Sequence, residues 1–128
     1  MSKVSNIFIK ANSSFTDLKQ EIELVLDINF LSGKEEEELY YTSEYTTIIL
    51  EVNSYVTDTD LNFSDFPYVI EISVGGLYSP YTRESLLREV SIYIYNKLKQ
   101  TNKYMLLYVL NFQILIERYI PPNSMLSS

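Results

Sequence analysis

The sequence predicts an α+β domain, an antiparallel-rich sheet of about five strands with two main helices packed on one face. Three observations carry this. Tyr68 to Val74 alternates, with Ile70, Ile72 and Val74 on one side and Val69, Glu71 and Ser73 on the other. That is how an antiparallel strand with one solvated face reads. Ser79-Pro80 is a strong helix start, and Leu86, Leu87, Val90, Ile94 and Leu98 follow it at helical spacing. After a break at Thr101-Asn102-Lys103, the densely apolar residues 104–110 read as a buried strand.

The remaining elements follow in order. Residues 6–11 read as a first strand, ended by Asn12-Ser13-Ser14. Ser14-Phe15-Thr16-Asp17 resembles a capping box, and Leu18, Ile22, Val25 and Leu26 then recur at helical spacing. A helix is therefore expected over residues 15–26. Residues 39–42 form a short strand. Residues 46–55, rich in β-branched side chains, form a longer one, with Ile49, Glu51 and Asn53 on its wetter side. In the second helix, Ile92, Tyr93 and Tyr95 widen the apolar stripe, so it should be well buried on the sheet. Residues 111–120 fit a strand by alternation and a short helix by spacing, and periodicity leaves both open. Residues 1–122 are expected to form one domain and 123–128 a flexible tail.

Composition limits the chemistry. The 128 residues contain neither histidine nor cysteine. Thiolate zinc sites, thiol nucleophiles, Ser-His-Asp systems and His-ligated metals are excluded, which leaves carboxylate, lysine or tyrosine chemistry among common catalytic designs. Asp58-x-Asp60-x-Asn62 matches the start of a calcium loop, but Phe63 stands where glycine is required and Val69 where a bidentate glutamate is required. Gly75-Gly76 lacks the further glycines of a phosphate loop and reads as a turn. No cofactor or metal is expected, and the chain does not read as an enzyme. It shows no basic segment followed by an apolar one, as a signal peptide has, and no run long enough to span a bilayer, so a cytoplasmic location is expected.

The net charge of −7 disfavours nucleic acid and anionic membranes as partners. Its distribution is uneven: residues 1–12 carry +2, residues 13–71 carry −12 and residues 72–128 carry +3. Glu35, Glu36, Glu37 and Glu38 form a block that must be solvated. Glu44, Asp58, Asp60 and Asp65 extend the acidic stretch, and Tyr40, Tyr41, Tyr45 and Tyr55 lie among the acids. Tyrosine supplies large contact area at low entropic cost, so tyrosines interleaved with acids suit a binder of a basic protein. An ordinary β-surface has the same composition.

The pattern of residues 7–11 with Phe15-Thr16-Asp17-Leu18, then Leu39-Tyr40-Tyr41-Thr42-Ser43, then residues 88–119 with their helix, Asn-Lys-Tyr break and apolar strand, resembles the small immunity proteins of bacterial polymorphic-toxin and contact-dependent growth-inhibition systems. The resemblance implies a non-catalytic cytoplasmic inhibitor that binds a cognate toxin domain, a basic nuclease on the argument of charge. Glu35, Glu36, Glu37, Glu38, Tyr40, Glu44, Tyr45, Tyr55, Asp58, Asp60 and Asp65 are the candidate contact residues. The alternative is a non-catalytic adaptor or regulatory domain of another pathway using the same surface.

Overall fold

The computed structural model describes residues 4–32, 38–42, 46–53, 65–75, 79–110 and 114–122. They form β1 (Val4–Lys10), α1 (Phe15–Leu26), β2 (Leu31–Ser32), β3 (Glu38–Thr42), β4 (Thr46–Val52), β5 (Tyr68–Val74), α2 (Pro80–Gln100), β6 (Met105–Leu110) and β7 (Ile114–Tyr119). The fold is α+β as expected. All strand pairs are antiparallel, in one sheet of order β2-β3-β4-β5-β1-β6-β7. The five expected strands are present. The two further members are the two-residue β2 and β7, where alternation prevails over helical spacing because pairing with β6 satisfies the backbone.

Both helices begin where their capping residues dictate. The amide of Asp17 donates to Ser14 Oγ at 3.2 Å, and that of Thr82 to Ser79 Oγ at 3.2 Å, with Pro80 in the first turn. α1 ends on Asp27 in the left-handed conformation (φ 56°), and Asn102 (φ 57°) turns the chain after α2.

One sheet face meets both helices. Leu18, Ile22 and Leu26 of α1 and Leu87, Ile94, Tyr95 and Leu98 of α2 pack with Ile7, Ile9, Ile48, Leu50, Ile70, Ile72 and Leu106. The broad stripe expected on α2 is narrower in the structure. Tyr95 is buried, whereas Ile92 and Tyr93 are 43% and 54% exposed. The helix is 21 residues long, and the sheet beneath it covers one arc of its circumference, which leaves flanking positions outside.

The other face carries a second apolar cluster, Phe8, Phe66, Val69, Leu107 and Val109, with Phe66 set edge-on to Phe8 at 6.3 Å between ring centres. The central strands β1 and β6 are therefore covered on both faces. Strands buried on both sides lose their alternation, which is why residues 104–110 read as a continuous apolar run.

Candidate functional site

The sheet order turns the charge asymmetry of the sequence into an asymmetry in space. β2, β3, β4 and β5 are neighbours in sequence and in the sheet, on one side of β1; β6 and β7 lie on the other. Three of the four described strand acids, Glu38, Glu51 and Glu71, therefore share one half of the sheet; the fourth, Glu117, lies beside Arg118 at the opposite edge and pairs with Lys99.

Register sharpens this. Glu38 stands directly opposite Glu51 in the β3–β4 pair. Glu51 stands opposite Val69, and Ile49 opposite Glu71, so Glu51 and Glu71 are diagonal neighbours across β4 and β5. Ile48 and Leu50 point into the helix-covered core, so Glu51 lies on the helix-free face, as does Glu71 between the inward-facing Ile70 and Ile72. Diagonal neighbours on one face lie roughly 7–8 Å apart, and like charges directly opposite one another disfavour the pairing. Glu51 and Glu71 are both half-buried and both engaged within the protein. The alternation of Glu51 and Glu71 was legible in the sequence; their alignment with Glu38 needed the pairing.

Of the candidate contact residues, Glu38 and Tyr40 lie on β3, opposite Glu51 and Ile49 respectively. Asp65 is exposed just ahead of β5. Its position is set by Asn53 at the end of β4, whose backbone amide donates to the Pro67 carbonyl at 2.8 Å and whose side-chain amide donates to the Phe66 carbonyl at 2.6 Å. Glu35, Glu36, Glu37, Glu44, Tyr45, Tyr55, Asp58 and Asp60 lie outside the described residues, as do the calcium-loop fragment around Asp58 and Gly76 of the Gly-Gly turn.

The acids of α1 and of its C-terminal cap divide into two kinds. Glu23 accepts from the Phe30 amide at 2.7 Å and lies 4.0 Å from Lys19, and Glu21 pairs with Lys103 at 2.9 Å. These two are tied to the fold. Asp17 and Asp27 are exposed. In the basic half, Lys99 pairs with Glu117 at 3.1 Å. Among the described residues no three carboxylates converge as a metal site would require, and no helix is long and apolar enough to cross a membrane.

The register brings three acidic positions, Glu38, Glu51 and Glu71, onto three adjacent strands. No protein-family model matches the chain, and neither a curated protein nor a solved structure matches it.

Proposed function

We propose that this chain is an immunity protein that binds and neutralises a cognate toxin domain, a basic nuclease, through the acid-bearing half of its sheet. The observation that carries the reading is the register of Glu38, Glu51 and Glu71 across three adjacent strands. Acidic positions gathered on one half of the sheet favour encounter with a lysine- or arginine-rich surface. The carboxylates stand in for the phosphates of the toxin's substrate. Glu35, Glu36 and Glu37 directly precede β3 in sequence.

The experiment pairs the chain with the product of the gene immediately upstream. Co-expression is expected to rescue cells from that product, and the purified proteins are expected to associate at a rate that falls with salt. In the triple variant E36K/E37K/E38K, association slows by about tenfold or more and its salt dependence flattens. Rescue without complex formation, or an association rate indifferent to the triple reversal, would remove the acidic surface from the account.

A further inference from the structure

We infer that the sheet edge at β7 is a docking surface for an extended acidic segment of a partner protein. β7 closes the sheet order, and among the described residues nothing pairs with its outer edge. Leu115, Ile116, Glu117 and Arg118 are exposed in succession, with Glu117 tied to Lys99 of α2 on the helix side. An edge strand offers a row of free N–H and C=O groups spaced to receive another strand. Natural edges are blunted by brevity, proline or inward charges. β7 has six residues, begins Ile-Leu-Ile, carries a bulge against Tyr108 and Val109, and bears charge at Glu117 and Arg118 alone.

A cavity adjoins this edge. It measures about 180 Å³ between α2, β1, β6 and β7, walled by Ser5, Leu87, Tyr108 and Leu110, with the exposed Ile92 and Ile116 as its lips. A dry apolar cavity of about 150 Å³ holds one benzene-sized group, so this one fits a single large apolar side chain. Side chains of an added strand alternate between the sheet faces. If one enters the cavity, its neighbours project on the opposite face. Arg118 is placed there, opposite Leu107 of the helix-free cluster. It is exposed and forms no salt bridge among the described residues, and the same holds for Arg88 at the cavity rim. Glu84, on the same rim, is engaged within the protein. The recognised chemistry is an extended segment in which a large apolar side chain is flanked by carboxylates. This surface lies at the far end of the sheet from Glu38, so it stands or falls separately from the proposed toxin contact.

The test uses the full chain and the blocked peptide acetyl-Thr-Val-Asp-Leu-Asp-Val-Thr-amide, followed by amide NMR. Saturable shifts are expected along β7 and around Leu87, with slowed amide exchange in β7. The peptide with both Asp replaced by Lys is expected to bind about fivefold more weakly or worse, and Arg118→Glu to lose the preference, the scale of one exposed charge contact. Ile92→Asp, on the helix and outside the sheet, is expected to weaken binding without unfolding the strand. Shifts centred elsewhere, equal binding of the Lys peptide, or no saturable shift would each overturn the proposal. So would self-association of the free chain that Arg118→Glu dissolves, since the edge would then serve a second copy.

Discussion

Tyr95 is where burial and ionisation meet. Its ring packs against Tyr108 at 5.6 Å, and its hydroxyl is buried without meeting hydrogen-bond geometry. Burial first, and the nearby Glu117 carboxylate second, push its ionisation well above the ordinary tyrosine value of 10.0. The protonated form is the neutral one, so the folded state keeps a proton that the unfolded chain releases. The resulting stability is fully present below pH 10.0 and is lost as pH rises through the raised value. Tyr95→Phe is therefore expected to leave stability at pH 7 unchanged or slightly raised, because the buried hydroxyl meets no hydrogen-bond geometry in the fold. It should also flatten the alkaline decline, measured by urea unfolding from pH 7 to pH 11; parallel declines would refute the linkage. Asp27 gives a second residue-scale prediction. A non-glycine residue in the left-handed region carries a steric cost, so Asp27→Gly should stabilise by about 0.5 kcal/mol in the same assay.

At the scale of elements, the helices were the most legible part of the sequence. Ser14 and Ser79 cap where their spacing said they would, because a hydroxyl three residues ahead of an amide is a local geometry that needs no tertiary context. Ser79→Ala and Ser14→Ala are each expected to cost about 1 kcal/mol in urea unfolding. β5 was legible by its alternation, although the face expected to be solvated is partly covered, with Val69 buried against Phe8 and Phe66. Strands were less legible at β7, where exposure on both faces removes the reason for alternation, and at β2, which is too short to carry a pattern. Tyr68 illustrates a tyrosine whose role only the fold reveals. Its hydroxyl donates to the Ser13 carbonyl at 2.7 Å and its ring meets Phe15 at 6.0 Å, so it secures the entry to α1.

At the scale of the molecule, the charge count along the sequence became a charge gradient across the sheet, because consecutive strands stayed neighbours on one side of β1. The acidic stretch was visible in the sequence; the alignment of Glu38, Glu51 and Glu71 was not, since register depends on turns and burial rather than on composition. Repulsion within the acidic half should make the fold more stable in salt. Between about 20 mM and about 0.5 M NaCl the Debye length shortens several-fold, and Tm is expected to rise by about 2–4 °C. The exposed pairs Lys103–Glu21 and Lys99–Glu117 lose little by screening. A Tm that falls with salt would show that those pairs outweigh the repulsion.

The place of β1 has a further consequence for how the chain is made. Ile7 lies between Ile70 of β5 and Tyr108 of β6, so the earliest of the described strands to be synthesised is an interior one. It can pair on neither side until most of the chain has left the ribosome. Until then Ile7, Phe8 and Ile9 travel as an exposed apolar triplet, and long-range pairing of this kind is slow. The first-made strand of the sheet thus waits for β6, near the end of the described chain, before both its edges are paired. Nascent chains stalled before β6 should be the ones that chaperones hold.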